Sequence, residues 1–198
     1  MLYDNDTFER GGHKFRVTFP ADDFGEASWE RGDGYGIVSD WTTRDKKPGE
    51  RVLNEDHRSK RYYDVAATMK KAKAEGWGLC DDDKVKLAAK LGREPKKGDI
   101  IAESVEKDFQ FHQSWCRDEW CYVGVVVKLL ETIDDDDEDT EYEESLWGIE
   151  SNSYDYLEET AYELADEILE RLAEVTDKRD DLSARTMEAE RPDLYTGA

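Results

Sequence analysis

Five carboxylates repeat at helical spacing near the C-terminal end of the sequence. They are Glu159, Glu163, Asp166, Glu170 and Glu174, separated by 4, 3, 4 and 4 residues. On a helix they fall on one side, with successive carboxylates about 5–6 Å apart along the axis. Phosphates along one nucleic-acid strand have a similar spacing of roughly 6–7 Å. This set, hereafter the carboxylate row, could therefore present itself to a basic protein as a phosphate backbone does.

A solvated helix face that only keeps the protein soluble is the competing interpretation of the row. Two observations favour binding. Lys is almost absent from this side of the helix, so ion pairs between residues four apart do not explain the pattern. Like charges at this spacing also repel each other, by a few tenths of a kcal/mol per pair. The sequence leaves both interpretations open.

The negative charge of the chain is concentrated in one stretch. Asp134–Glu174 holds 18 acidic residues and one basic residue, Arg171, whereas the whole 198-residue chain has a net charge of −22. Such a charge favours basic partners or divalent cations and disfavours nucleic acid and anionic lipid. The acidic run that opens the stretch lacks the Gly and Glu that a calcium-binding EF-hand loop requires, so it predicts a solvated hairpin tip. Its first four residues are a secondary candidate binding site: Asp134, Asp135, Asp136 and Asp137.

A metal site and a basic segment are the other candidates. His112, Cys116 and Cys121 form an H-x3-C-x4-C pattern, which could bind zinc if a fourth ligand were supplied, or could be a buried helix–strand junction. No cofactor is predicted, and no catalytic motif occurs. Arg44–Lys97 has 16 Lys+Arg against 10 acidic residues. Its candidate contacts to phosphates and bases are Arg58, Lys60, Arg61, Tyr62, Tyr63, Lys70, Lys71 and Lys73.

Size and composition predict one α+β domain over residues 1–176, followed by a polar tail over 177–198 that is partly helical or mobile. Three cysteines give no disulfide framework and are typical of a reducing cytosol. The sequence has no signal-peptide pattern and no apolar run long enough to span a membrane. We therefore expect a soluble cytoplasmic protein.

Hydrophobic periodicity predicts a small, mostly antiparallel sheet packed by helices. A central strand rich in Val is followed by an acidic loop and a returning strand. A long amphipathic helix then carries the carboxylate row on one side and buries an apolar stripe on the other. The stripe comprises Leu157, Ala161, Leu164, Ile168, Leu172 and Val175. The predicted strands are His13–Phe19, Gly36–Trp41, Cys121–Thr132 and Ser145–Ile149, and the second of these is expected to pair with the first. The predicted helices are Tyr62–Glu75, Lys84–Leu91, Asp99–Trp120 and Tyr154–Val175. The predicted loops are Arg44–Arg61 and Asp134–Glu144.

Two segments, WCRDEWCYVGVVV and ESLWGIESNSYDYLEETAYELADEIL, resemble small acidic proteins encoded by bacteriophages. The resemblance covers about half of the domain and implies a phage setting. The proteins of this group are mostly of unassigned function. In a phage setting, small acidic proteins often inhibit host defence, as anti-CRISPR or anti-restriction proteins, by occupying nucleic-acid-binding surfaces. The resemblance assigns no catalytic residue.

Three hypotheses follow. The first is a non-enzymatic inhibitor whose carboxylate row docks on the basic surface of a host nucleic-acid-binding protein, with no membrane association and no direct binding of nucleic acid. The second is a nucleic-acid-binding accessory protein that uses the Arg44–Lys97 segment. The third is a metal-binding protein or enzyme built around His112 and Cys116. The apolar stripe of the long helix could serve a homodimer as well as a core.

Overall fold

The computed structural model describes residues 1–23, 26–31, 35–133 and 136–189, and these residues form an α+β protein. The α+β class predicted from the sequence is confirmed, with four helices and six strands in two antiparallel sheets among these residues. In chain order the elements are β1 (Thr7–Arg10), β2 (His13–Thr18), β3 (Glu50–Asp56), β4 (Ser59–Asp64), α1 (Val65–Glu75), α2 (Asp81–Leu91), α3 (Lys97–Cys116), β5 (Tyr122–Ile133), β6 (Asp136–Glu150) and α4 (Tyr154–Ala189).

The chain separates into two compact units, which differ sharply in charge. The acidic unit comprises Met1–Asp23 and Tyr122–Ala198, and the neutral unit comprises Phe24–Cys121. The acidic unit contains 9 Lys+Arg against 30 Asp+Glu, and the neutral unit contains 19 against 20. Almost the whole net charge of −22 therefore belongs to the acidic unit. The sequence predicts one domain over residues 1–176, whereas the contacts between residues divide the chain into the acidic unit and the neutral unit.

The acidic unit is built on a four-stranded antiparallel sheet in the order β1-β2-β5-β6. Strand β5 lies inside the sheet, and its first six residues are all buried. This confirms the central strand predicted from the Val-rich run, because only a strand covered on both faces can be apolar on both. Strand β2 is also internal and buries Phe15 and Val17.

The predicted acidic loop over Asp134–Glu144 is wrong, although the predicted hairpin is present. Strand β6 begins at Asp136, so most of the acidic run is paired with β5. A loop was expected because a string of like charges should prefer full solvation. In the structure, cations of β5 and of β2, the strand beyond it, pair with part of the run: Lys14 with Asp137, Arg16 with Asp139, and Lys128 with Asp139 and Glu143.

Helix α4 packs its apolar stripe against the sheet. Leu157, Ala161, Leu164 and Ile168 are buried in one cluster with the Val side chains of β5. Val175, the last position of the predicted stripe, is 47% exposed. The helix nevertheless continues to Ala189, beyond the residue where the predicted domain ends.

In the neutral unit, the predicted loop over Arg44–Arg61 is wrong because β3 and β4 form a hairpin there. The helix predicted from Tyr62 begins instead at Val65, and the Asp64 side chain caps it by accepting a hydrogen bond from the Ala67 amide. Tyr63 lies in β4 and packs on α3 through Phe109. Apolar residues at 62, 63 and 65 fit either element, so periodicity alone did not separate strand from helix.

The predicted pairing of Gly36–Trp41 with the N-terminal strand is also wrong. Strand β2 pairs with β1 and β5. The segment after Tyr35 lies along β4, where Val38 opposes Tyr63 and Thr42 opposes Lys60 through isolated bridges. Alternation identifies a strand, but it carries no information about which distant strand is the partner.

Candidate anionic interface

The carboxylate row lies along the side of α4 opposite the buried stripe, as the helical spacing predicts. Glu159, Glu163, Glu170 and Glu174 are exposed, whereas Asp166 is partly buried. The stripe beneath fixes the rotation of the helix, because turning it would expose the core residues. The row is therefore held in a defined orientation.

Asp166, at the centre of the row, is occupied by an intramolecular partner. Arg10 of β1 donates two hydrogen bonds to it, from Nε to Oδ1 at 2.8 Å and from Nη2 to Oδ2 at 2.6 Å. The guanidinium also lies 5.6 Å from the ring centroid of Tyr162. The hydrogen bond from Arg10 lowers the pKa of Asp166. Sequence reasoning missed this pair because Arg10 stands 156 residues away in the chain.

The remaining carboxylates of the row differ in their partners. Glu174 pairs with Lys178 at 3.3 Å, one turn along the helix, and both side chains are highly exposed. A pair of this kind is weak, because water and salt screen it. In the part of the chain that the structure describes, Glu159, Glu163 and Glu170 have no ion pair. These three positions are available to a cationic partner.

Two further carboxylates extend the row. Asp155 lies four residues before Glu159, and Asp177 lies three residues after Glu174. Both are exposed, and neither forms an ion pair with another described residue. These two positions lie outside the five predicted from the sequence, although they continue the same spacing of three or four residues. The row then spans about 33 Å at 1.5 Å per residue.

A shallow cleft of about 460 Å³ surrounds the first half of the row. Arg10 and Tyr162 line it together with carboxylates of α4. Arg10 already occupies the carboxylate of Asp166 beside the Tyr162 ring, which is the environment that guanidinium groups favour. Glu159 and Glu163 line the same cleft and have no ion pair among the described residues.

The secondary site predicted at the acidic run is only partly available. Asp134 and Asp135 lie outside the described residues. Asp136 is exposed, and Asp137 pairs with Lys14, whose hydrogen bond lowers the pKa of Asp137. Strand β6 therefore contributes fewer accessible charges than its sequence suggests.

A second group of carboxylates surrounds a larger pocket of about 570 Å³ in the acidic unit. Leu129, Leu172 and Tyr142 supply apolar lining, and Glu131 and Glu138 stand opposite each other on β5 and β6. Like charges directly opposite each other on neighbouring strands are destabilising. Neither forms an ion pair with any residue described in the structure, so these two charges add to the anionic surface.

In the described part of the chain, the residues of the metal hypothesis are not grouped with enough ligands to hold a metal ion. His112 is fully buried, with Nδ1 2.8 Å from the Ser28 hydroxyl and Nε2 3.4 Å from Asp108 Oδ1. Burial raises the pKa of the Cys116 thiol, which disfavours the thiolate that zinc requires. Among residues 1–23, 26–31, 35–133 and 136–189, no three His, Cys, Asp or Glu side chains are grouped to hold a metal.

Part of the basic segment is engaged inside the neutral unit, whereas Arg58, Lys70 and Lys73 are exposed. Tyr62 and Tyr63 are 2% and 0% exposed, so neither can stack on a base in this conformation. Lys60 pairs with Glu55 at 3.2 Å, and Lys71 donates to the Tyr35 carbonyl at 2.8 Å. The two tyrosines therefore act in the core of the unit and do not form a nucleic-acid surface.

No known protein family, curated protein or solved structure matches this chain. No helix in the described segments is long and apolar enough to cross a membrane.

Proposed function

We propose that this protein is a non-enzymatic inhibitor that binds the basic, nucleic-acid-binding surface of a host defence protein in a phage infection. The carboxylate row of α4 takes the place of nucleic-acid phosphates on that surface. The observation that carries the proposal is the row itself, in which Glu159, Glu163 and Glu170 are exposed and without ion pairs on a helix anchored by its opposite side.

The distribution of charge supports a directed interaction. A charge that served only solubility would be expected on both units, yet the neutral unit has 19 basic residues against 20 acidic ones. The acidic unit, with 30 acidic residues against 9 basic ones, instead produces a strong local field. Such a field steers a basic partner and speeds its association.

Rigidity supports the phosphate-like role. Because α4 is held by a buried stripe, its carboxylates need little reordering when a partner binds. A continuous helix also places charges at regular intervals over about 33 Å, which is roughly the length of one turn of B-form DNA. Occlusion of a groove requires only binding, so the proposal includes no chemical step.

The test is capture of basic proteins from a bacterial lysate by the immobilised full-length chain. A triple variant, Glu159→Lys, Glu163→Lys and Glu170→Lys, reverses the charge at the three positions of the row that have no ion pair. A matched control, Asp45→Lys, Asp82→Lys and Glu94→Lys, makes the same change in net charge at exposed positions of the neutral unit. Circular dichroism verifies that both variants are folded.

We expect the wild type and the control to retain a nucleic-acid-binding protein at low salt and to release it at high salt or on addition of DNA. The row variant should lose at least about tenfold in affinity. Equal losses in the two variants would show that total charge, and not the row, is responsible. Retention by the row variant would contradict the proposal outright.

A further inference from the structure

The neutral unit contains an arginine that stacks on two aromatic rings and forms no ion pair with any described residue. Arg61 lies on β4, with its guanidinium carbon 4.8 Å from the ring centroid of Trp29 and 5.1 Å from that of Trp41. Arg61 is partly buried, and Trp41 is 43% exposed. The guanidinium and one indole can therefore be reached from solvent.

Among the described residues, Arg61 has no counter-ion. No carboxylate within the described ranges lies at ion-pair distance from it, and its Nε atom is buried without an acceptor. The nearby thiol of Cys116 does not supply a charge, because burial raises its pKa. Three other arginines of the unit are paired with carboxylates: Arg44 with Glu50, Arg51 with Glu106 and Arg93 with Asp99.

An unpaired guanidinium beside aromatic rings has a defined chemical preference. Its planar donors match the two oxygens of a phosphate or carboxylate, and the low dielectric of the flanking rings strengthens that interaction. The exposed indole of Trp41 offers a face on which a flat ring can stack. A ligand that carries both an oxyanion and an aromatic ring would satisfy both groups together.

We propose that Arg61, Trp29 and Trp41 form a binding site for a small aromatic oxyanion, either a nucleoside monophosphate or an aryl carboxylate. A small ligand fits better than a polynucleotide, because the chain's net charge of −22 repels a long polyanion far more than a single charged group. This site belongs to the neutral unit and is independent of the carboxylate row.

The test is calorimetric titration of the full-length chain with AMP, benzoate, adenosine and inorganic phosphate. We expect saturable binding of AMP or benzoate, and which of the two binds more tightly distinguishes a phosphate from a carboxylate ligand. Adenosine carries only the aromatic ring and inorganic phosphate only the oxyanion. Each should therefore bind at least about tenfold more weakly than whichever of AMP and benzoate binds more tightly.

Two variants locate the site. Arg61→Met should weaken the better probe at least about tenfold, whereas Arg58→Met, at an exposed arginine in the turn of the same hairpin, should change its affinity by less than about twofold. Arg61→Lys keeps the charge but loses the planar fork, so it should also weaken binding, and it decides the test if Arg61→Met does not fold.

Three results would overturn the proposal. The first is the absence of saturable binding by AMP and benzoate up to about 10 mM, a concentration that would still reveal weak association. The second is an equal loss of affinity in the variants at Arg58 and Arg61. The third is affinity for oligothymidine that increases with strand length, which would indicate a polynucleotide surface instead.

Discussion

Arg10 and Asp166 form a two-point salt bridge that joins β1 to the middle of α4. The two hydrogen bonds, at 2.8 and 2.6 Å, connect both oxygens of the carboxylate to the guanidinium. Tyr162 provides an aromatic face beside them. Within the proposed function, this pair illustrates how an arginine of the partner could bind to the neighbouring free positions of the row.

Removing Arg10 should strengthen binding to basic partners. In Arg10→Gln, Asp166 loses its intramolecular cation, so the centre of the row becomes available and its carboxylate pKa rises toward the ordinary value. We expect the affinity for a fluorescent polylysine peptide to increase about two- to fivefold at low salt, with a steeper salt dependence. Fluorescence anisotropy at two ionic strengths measures both quantities.

Arg171→Gln is the matched control for that experiment. It removes one positive charge from α4, but Arg171 pairs with Glu144 of β6 and not with a residue of the row. If this variant binds polylysine as tightly as Arg10→Gln does, net charge alone explains the effect. A larger gain in affinity for Arg10→Gln than for Arg171→Gln would instead assign the effect to Asp166, the carboxylate that Arg10 covers.

Glu50 should make the neutral unit sensitive to acid. Its side chain is buried and accepts hydrogen bonds from Arg44, at 2.6 and 2.7 Å, and from the Lys47 amide at 2.7 Å. The hydrogen bonds from Arg44 are the main cause of a pKa lowered from 4.5 to about 2. The folded state therefore binds this proton less tightly than the unfolded chain does.

The stabilisation from Glu50 is thus complete above pH 4.5 and is lost as the pH falls to about 2. Glu50→Gln should destabilise the unit by about 1–3 kcal/mol at neutral pH, because a buried charged hydrogen bond is removed. Hydrogen exchange of the β3 and β4 amides across this range measures the difference. A difference between wild type and variant that stays constant down to pH 2 would contradict the assigned cause.

Gly36 should not tolerate a side chain. A Cβ atom there would lie 2.4 Å from the Tyr63 hydroxyl and 2.5 Å from Asp108 Oδ2, atoms that already form a hydrogen bond with each other. We expect Gly36→Ala to destabilise the neutral unit by roughly 2–4 kcal/mol in urea unfolding, because the buried pair must separate.

Gly98 provides the control for the same unit. Apart from its chain neighbours and the adjacent backbone of its own helix, no described atom lies within 4 Å of the position that its Cβ would occupy. It lies in α3, so Gly98→Ala should stabilise the protein by up to about 1 kcal/mol. Similar unfolding midpoints for the two variants would argue against close packing at Gly36.

The three cysteines should differ in reactivity. Cys80 and Cys121 are exposed, whereas Cys116 is partly buried and burial raises the pKa of its thiol. Since the thiolate is the reactive form, iodoacetamide at neutral pH should modify Cys116 at least about tenfold more slowly than the other two. Peptide mapping by mass spectrometry gives the three rates, and the difference should disappear in denaturant. Faster alkylation of Cys116 would contradict this assignment.

Local sequence patterns were sufficient for the elements that depend on local interactions. The Val-rich run defined β5, and the spacing of Leu157, Ala161, Leu164 and Ile168 defined the buried side of α4. The same spacing placed the carboxylate row on the opposite side. These inferences succeeded because a helix and a buried strand each impose one period on the side chains they bury.

Patterns that depend on distant neighbours were not predictable in the same way. The acidic run of β6 is a strand because Lys14, Arg16 and Lys128 lie across from its carboxylates, and two of these cations belong to the N-terminal strands. For the same reason, the sequence did not predict the hairpin of β3 and β4. It also did not predict that the segment after Tyr35 lies along β4. Strand pairing is a long-range property, and local hydrophobicity does not encode the partner.

The sequence by itself determined the α+β class, the sign and concentration of the charge, and the repeat that forms the carboxylate row. Only the tertiary structure decided which carboxylates are free. Arg10 reaches Asp166 from β1, whereas Glu159, Glu163 and Glu170 have no cation beside them in the described part of the chain. Pairing of charges depends on distances between atoms, and the fold brings together residues that are far apart in the chain.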